Sequence, residues 1–344
     1  MKVSYKFYLL IISLFVISSC ENTQVENING KKIKTSDWMY EIYKEKPEVK
    51  LTDIALVGTH HSLTDLIRLD KPLSQYSYDN WSDSIRKKVG KEGLLMFSQN
   101  QSQPIIEQLE NGVRYFDFHL QSYKNTIWSF HNFVSNPIQP VLDQISTFIR
   151  RHPKEIIIIN LRRLNVEPAL YDELLQIFID RLSPHIARVD EQDITLTLGD
   201  VWGRKRSVIF ISSYPAQNER QTELYYESDK VLMQENIDKF NAKEVITDMK
   251  RDIGNRAMDK LYISFAVQTP TEEVLINSLR HRPKSIYQIV SDSSSVNSTI
   301  KTWFPELVKA AERKHKKVNI LLFDQYQSNR EIMRTIIKHN IEKQ

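Results

Sequence analysis

Short apolar runs alternate with longer amphipathic segments along most of the chain. Runs with the length and composition of buried strands lie at 54–57, 113–120, 127–130, 156–161, 208–212, 261–267 and 318–323. Four consecutive isoleucines, Ile156 to Ile159, are typical of a strand that is buried on both faces, as in a parallel sheet. Helical patterns lie between the runs, at 141–151, 170–182, 300–314 and 329–339. This repeated alternation of strand and helix predicts an α/β fold.

Two parallel architectures fit the alternation, a (β/α) barrel and a doubly wound sheet. The first strand is not followed by Gly-x-Gly-x-x-Gly, the turn that binds phosphates in dinucleotide folds. The chain has only 8 glycines, and no Gly/Ser-rich or Pro-rich linker interrupts residues 36–344. We therefore predict a single domain with the architecture of a TIM-type barrel.

The first twenty residues have the pattern of an export signal. Lys2 and Lys6 precede an apolar stretch, 7–17, that is too short to cross a membrane. Ser18-Ser19-Cys20 follows it and resembles a lipobox, so Cys20 is the expected lipidation site of an exported lipoprotein anchored in the bacterial cell envelope. An ordinary secretory signal or an uncleaved anchor is the alternative. The predicted organisation is a signal peptide at 1–20, a polar tether at 21–35 and a catalytic barrel at 36–344.

Composition narrows the possible chemistry. Cys20 is the only cysteine of the 344 residues, which excludes a disulfide, a thiolate metal site and a cysteine nucleophile from the barrel. The net charge is +4, of which Lys2 and Lys6 contribute two units. Basic clusters are expected to be solvated helix ends, with contact to an anionic bilayer as the alternative, at 150–154, 204–206 and 313–317. Neither a nucleic-acid partner nor a protein partner is predicted.

Titratable side chains follow several of the predicted strands. Barrels of this type carry their chemistry at the C-terminal ends of the strands, and these residues are His60, Asp117, His119, His131, Arg162 and Asp324. Two histidines facing one phosphate can serve as general base and general acid. A carboxylate can orient one of them, and an arginine can bind the phosphate. Gly58 is expected to let the backbone turn and bring His60 into the site.

Two sequence motifs lie beside the first two predicted strands. Gly58-Thr59-His60-His61-Ser62 is similar to Gly-Thr-His-Asp/Asn-Ser, the opening motif of the X domain of phosphatidylinositol-specific phospholipases C. The segment 108–117, which reads QLENGVRYFD, is similar to its second signature. The segments 152–155, 267–270 and 318–324 also resemble segments of this family, although less specifically. The resemblance therefore runs from about residue 50 to 340.

The resemblance implies a distorted TIM barrel and a specific reaction. His60 would be the base that activates the inositol 2-hydroxyl, with Asp324 orienting it. His131 would be the acid that protonates the diacylglycerol leaving oxygen, and a cyclic inositol phosphate would form. The expected partners are a phospholipid membrane and an inositol phospholipid. His61, Asp117, His119 and Arg162 are expected to bind the substrate.

Three positions depart from the family pattern. His61 replaces an Asp or Asn, His119 replaces an Arg or Asp, and Asn132 replaces a Gly. Calcium prefers oxygen ligands, so a calcium site is not expected. Two alternatives stay open for how the site stabilises the negative charge of the phosphate. In one, protonated His119 or Arg162 carries it without a cofactor. In the other, His61, Asp117 and His119 hold a transition metal such as zinc.

Other functional classes also stay open. A metal-dependent phosphodiesterase of another barrel family would need a carboxylate pair near the early histidine, and only Asp117 lies near the second strand. A non-enzymatic protein that binds phosphoinositide or other lipids with a decayed site is the second alternative. A third possibility is that the substrate is a GPI-type glycan or another inositol phosphodiester.

Overall fold

Parallel strands form the central sheet of the computed structural model, which describes residues 24–26, 30, 32–76, 83–167, 170–183, 185–187, 193–214, 223–234, 239–271, 274 and 284–343. The predicted signal peptide, including Cys20, lies outside these residues. The strands are β1 (Gln24–Glu26), β2 (Lys32–Lys34), β3 (Leu56–Thr59), β4 (Tyr115–Tyr123), β5 (Thr126–His131), β6 (Phe133–Pro137), β7 (Ile157–Asn165), β8 (Val208–Ser212), β9 (Tyr226–Glu227), β10 (Leu232–Gln234), β11 (Leu261–Ala266) and β12 (Ile320–Phe323).

Helices connect the strands and cover the outside of the sheet. They are α1 (Trp38–Tyr43), α2 (Asp83–Met96), α3 (Ile105–Glu110), α4 (Ile138–Arg151), α5 (Tyr171–Leu182), α6 (Leu198–Gly203), α7 (Ser228–Val231), α8 (Ala242–Asp252), α9 (Ile286–Val290), α10 (Ile300–Glu312) and α11 (Glu331–Glu342). The helices α4, α5, α10 and α11 coincide closely with the four helical patterns predicted from the sequence.

The parallel strands pair in the order β10-β11-β12-β3-β4-β7-β8-β9, so the first and last thirds of the chain meet where β12 lies beside β3. Within the described residues no ladder joins β9 to β10, which leaves the barrel open on that side. Ile156 to Ile159 are fully buried, as expected for a strand with helices outside and side chains inside the barrel. The prediction of a TIM-type α/β barrel is confirmed.

One predicted barrel strand is instead part of an antiparallel hairpin. Residues 127–130 fall in β5, which pairs antiparallel with β4 and β6 instead of joining the parallel barrel. Lys124 and Asn125 both have positive φ, the conformation of a two-residue hairpin turn whose twist matches the flanking strands. Asn132, also at positive φ, turns the chain from β5 into β6. His131 therefore reaches the site from a hairpin rather than from a barrel strand.

The end of the barrel at which the parallel strands begin is closed by α1 and a buried ion pair; we call it the closed end. Arg114 directly precedes β4 and bonds Glu155 through Nε and Nη2 at 2.8 and 2.7 Å. The same guanidinium donates to the carbonyls of Thr35 and Ser36, and Glu155 accepts backbone N–H groups of α1. A charge pair buried this completely is stable only because each partner is fully hydrogen-bonded.

The chain preceding α1 is attached to the closed end. β2 pairs antiparallel with β1, with Gln24 opposite Lys34, and Ile33 is buried. These strands lie inside the segment predicted as a tether, whose boundaries stay predictions. No helix among the described residues is long and apolar enough to span a bilayer.

Candidate active site

The strands β3 and β12 place His60 beside Asp324 at the opposite end of the barrel, where the parallel strands finish; we call it the mouth. The backbone N–H of His60 donates to the carbonyl of Phe323 at 3.0 Å, which fixes the register of the two strand ends. The His60 Nδ1 lies 2.9 Å from Asp324 Oδ1. An ionised carboxylate can only accept, so Nδ1 carries the proton and Nε2 presents a lone pair. The His60 side chain is 17% exposed at the mouth.

Two amides from the loop between α2 and α3 hold this pair. Asn100 Nδ2 donates to Asp324 Oδ1 at 2.8 Å. Gln101 Nε2 donates to the carbonyls of His60 at 3.0 Å and of Phe323 at 2.8 Å. Both side chains are buried. The sequence reasoning missed them, because they lie on a loop with no periodic pattern and contact the site only after that loop folds over the mouth.

His61, not Gly58, makes the turn at the end of β3. The φ of His61 is +43°, whereas Gly58 has no left-handed φ. A Cβ at Gly58 would lie 2.8 Å from Tyr115 Cδ1 and 3.1 Å from Leu322 Cδ1. The expectation that Gly58 turns the backbone is therefore wrong: this glycine lets the neighbouring strands' side chains fill the barrel interior.

The His61 ring contacts the rings of the other histidines of the site. Its centroid lies 3.9 Å from that of His131, with the planes 19° apart, and 4.3 Å from that of His60. His119 lies 4.0 Å away on the same measure. The four predicted histidines thus form one cluster at the mouth.

His131 is held by the loop that precedes α3. Its Nδ1 lies 3.0 Å from the Ser98 carbonyl oxygen, which can only accept, so Nδ1 carries a proton in either charge state. The Nε2 atom is then the one whose proton can come and go. Asn132 donates through Nδ2 to Ser98 Oγ at 3.1 Å. The departure at Asn132 therefore supports the same loop that orients His131.

Asp117 joins the remaining predicted residues. Its Oδ1 lies 3.1 Å from His119 Nε2, and its Oδ2 accepts the backbone N–H of His61 at 3.2 Å. The Arg162 Nη1 lies 3.7 Å from the same Oδ2, and the Arg162 guanidinium lies over the Phe265 ring. Asp117 and His119 are two residues apart on β4, so their side chains lie on the same side of the strand, where they contact each other.

Burial sets the charges in the cluster. It lowers the pKa of His61 well below its usual value, and the neighbouring His119 and His131 lower it further. Burial also lowers the pKa of His119 to about 4, although Asp117 opposes the shift. Burial alone would raise the pKa of Asp117, but His119 and Arg162 outweigh it and the net shift is downward. At neutral pH His61 and His119 are uncharged and Asp117 is ionised, so Arg162 is the cation beside Asp117.

The proposed metal ligands do not converge on one point. His119 Nε2 is directed at Asp117 Oδ1, so two of the three candidate ligand atoms bond each other. Within the described ranges, no group of three or more His, Cys, Asp or Glu side chains is arranged to hold a metal ion. The set His61, Asp117 and His119 therefore fits a hydrogen-bonded cluster better than a zinc site.

The sequence matches cover about half of the chain. No family model matches it. The PI-PLC X domain-containing protein 3 of Danio rerio is 24% identical over 195 residues, which are 54% of this chain and 59% of that protein. The human PI-PLC X domain-containing protein 1 is 25% identical over 202 residues, 55% of this chain and 60% of that protein. The matches thus span about three fifths of the relatives' length.

Solved structures match over nearly the whole barrel. The phosphatidylinositol-specific phospholipase C of Listeria monocytogenes has a TM-score of 0.58 and 19% identity, covering 90% of this chain and 99% of that one. The enzyme of Staphylococcus aureus has a TM-score of 0.59 and 14% identity, covering 88% and 97%. At these identities the structures establish the fold. Together the comparisons confirm the resemblance carried by the two motifs: this chain is related to the PI-PLC X-domain proteins and has the barrel of the bacterial phosphatidylinositol-specific phospholipases C.

Proposed function

We propose that the protein cleaves the phosphodiester of an inositol phospholipid by general acid–base catalysis. One observation carries the proposal: His60, bonded to Asp324, and His131 lie in one cluster, both in ring contact with His61. Each histidine has its Nδ1 bonded to an acceptor, so Nε2 is the ring nitrogen that would exchange the catalytic proton. That is the arrangement a base and an acid need on either side of a phosphate.

In the proposed reaction His60 Nε2 removes the proton from the inositol 2-hydroxyl. The oxygen attacks phosphorus, and the bond from phosphorus to the glycerol oxygen breaks. Protonated His131 donates its Nε2 proton to that leaving oxygen, so diacylglycerol and a cyclic inositol phosphate form. Asp324 stabilises the imidazolium that develops at His60 and keeps its tautomer fixed. Hydrolysis of the cyclic product would reverse the roles of the two histidines.

Arg162 is the proposed phosphate ligand, and no metal is required. The Arg162 side chain is 21% exposed, and its Nη1 lies 3.7 Å from Asp117 Oδ2, longer than a close ion pair, so the guanidinium can reorient toward the substrate phosphate. Neutral His119 can donate a hydrogen bond but supplies no positive charge. The departure at His119 therefore shifts the electrostatic role to Arg162.

A second candidate function has one observation in its favour. The ring of His61 contacts both His60 and His131, at a position where the family has a smaller Asp or Asn. A larger ring there narrows the space for phosphate and favours a protein that binds inositol lipids without cleaving them. Inertness of the wild type toward phosphatidylinositol, GPI and glycerophosphoinositol would support this candidate.

The leaving group distinguishes the acid from the base. His60→Ala is expected to abolish cleavage of both phosphatidylinositol and an inositol aryl phosphodiester. His131→Ala is expected to lose about 10²–10⁴-fold on phosphatidylinositol but far less on the aryl ester, whose leaving group needs no proton. The control is His185→Ala, which changes a histidine at the closed end. Its activity on both substrates should match that of the wild type. Equal losses on both substrates in His131→Ala would reject its role as the acid.

We also propose that the protein is an exported lipoprotein whose lipids are attached at Cys20. The support is the sequence of the first twenty residues. Mass spectrometry of the N-terminal peptide from a membrane fraction tests it: a diacylglyceryl-modified Cys20 is expected, and an unmodified residue 20 would reject the anchor.

A further inference from the structure

The two ends of the barrel have different surfaces. The described part of the chain exposes six large hydrophobic side chains, and five of them lie on connections that follow the C-terminal ends of strands, at the mouth: Leu66, Leu69, Leu73, Tyr214 and Tyr287. The sixth of these side chains, Tyr40, lies at the closed end. The three leucines are 37, 42 and 44% exposed and belong to one loop, directly after the catalytic His60–His61 segment. Three exposed leucines on one loop offer an apolar surface of the kind that meets another apolar phase.

Three basic clusters lie at the closed end. Each of the three basic clusters, 150–154, 204–206 and 313–317, lies on a connection from a helix to the start of a strand, after α4, α6 and α10 respectively. Topology therefore collects all three at the closed end. Arg151 lies 4.0 Å from Glu110 and Lys317 lies 2.7 Å from Asp53, so these two carboxylates offset part of the charge. Arg204 and Lys205 are exposed there, as an anionic bilayer surface would require.

The N-terminal segment joins the barrel at this same closed end. The carbonyls of Thr35 and Ser36 accept from Arg114, at the beginning of β4. The β1–β2 hairpin continues from this point and brings Gln24 opposite Lys34. Only residues 21–23 separate Gln24 from Cys20, and four residue steps span at most about 14 Å. A domain of about 300 residues has a radius of gyration of about 19 Å, so its two ends lie about 40–50 Å apart.

We propose that the enzyme acts in trans. The bilayer that holds Cys20 lies against the closed end, and the mouth takes inositol phospholipid from a second bilayer. The inference rests on the proposed function and on the proposed lipidation of Cys20. The short connection excludes the opposite arrangement, in which the mouth would face the bilayer that holds Cys20. A connection of about 14 Å is too short to let the mouth, about 40 Å from the closed end, reach that bilayer. The leucines of the mouth then meet the second bilayer.

The orientation of the barrel on the anchoring bilayer can be measured whether or not the protein is an active enzyme. Lipidated protein carrying one fluorophore, at Leu69→Cys or at Lys205→Cys, is placed in vesicles of phosphatidylcholine and phosphatidylglycerol that contain an acceptor-labelled lipid. Energy transfer from position 205 is expected to exceed that from position 69 severalfold. Equal transfer, or stronger transfer from position 69, overturns the proposal. A residue 20 without lipid overturns it as well.

Turnover gives an independent reading. Lipidated wild type is placed in vesicles that also contain phosphatidylinositol, and the vesicles are then diluted. If the enzyme acts in trans, its turnover rate per enzyme molecule falls with dilution, because two vesicles must meet. A rate that is unchanged by dilution overturns the proposal. Cys20→Ser protein assayed on phosphatidylinositol in detergent micelles reports the proposed function alone. Failure there rejects catalysis, while the fluorescence still decides the orientation.

Discussion

Acidification from pH 7 to pH 5 is expected to destabilise the protein through His119. Burial lowers the pKa of this residue to about 4, below the value of about 6.5 that an unfolded chain has. The unfolded state therefore binds more protons between these two pH values, so the free energy of unfolding is at its full value above pH 6.5 and falls as the pH drops toward 4. For one group with these two pKa values, the loss between pH 7 and pH 5 is about 2 kcal/mol. His61 shifts in the same direction and adds to the loss.

Urea unfolding at the two pH values measures this effect. In His119→Asn the proton uptake of position 119 is removed, so the difference in unfolding free energy between pH 7 and pH 5 should shrink by about 2 kcal/mol. In the wild type the pKa of Asp117 is shifted downward, so this carboxylate stays ionised across the window. His315→Asn is the matched control: His315 is exposed at a φ of +55°, which Asn tolerates, and its pH dependence should equal that of the wild type. An unchanged pH dependence in His119→Asn would refute the assignment of a neutral, buried His119.

Three further predictions concern packing, charge and metal. Gly58→Ala should lower the unfolding free energy by about 1–3 kcal/mol because its Cβ meets Tyr115, while Gly203→Ala, which meets nothing within 4 Å, should not destabilise. Glu155→Gln should cost about 3–5 kcal/mol because the Arg114 charge stays buried, against about 1 kcal/mol or less for the exposed Glu41→Gln; equal losses would contradict this. Metal analysis should find no stoichiometric zinc and chelators should leave activity unchanged; tightly bound zinc would reject the metal-free site.

The order of elements was predictable because it follows from patterns that burial imposes locally. The four isoleucines of β7 and the amphipathic stripes of α4 and α10 are read from a few residues each. The strands β9 and β10 were not predicted, because they are two and three residues long and flanked by charged positions. The β5 run has the composition of a barrel strand, and only the turn at Lys124–Asn125 sends it antiparallel.

The site was predictable where chemistry follows a strand and unpredictable where a loop supplies it. His60, Asp117 and Asp324 come together because parallel strands end at the same side of a sheet. Asn100 and the Ser98 carbonyl belong to a loop whose path depends on tertiary contacts, so no local sequence pattern predicts that they contact the site. The turn at His61 was missed because a non-glycine residue at positive φ is uncommon, so the sequence reasoning assigned the turn to Gly58, three residues earlier.

The most direct test of the proposed mechanism is phosphorus NMR of the products formed from phosphatidylinositol. The wild type should first give the signal of a cyclic inositol phosphate, and His60→Ala and His131→Ala, both folded by circular dichroism, should form it at least about 10²-fold more slowly. An acyclic phosphate as the first product of the wild type, or undiminished cyclic product from either variant, would contradict catalysis by this pair of histidines.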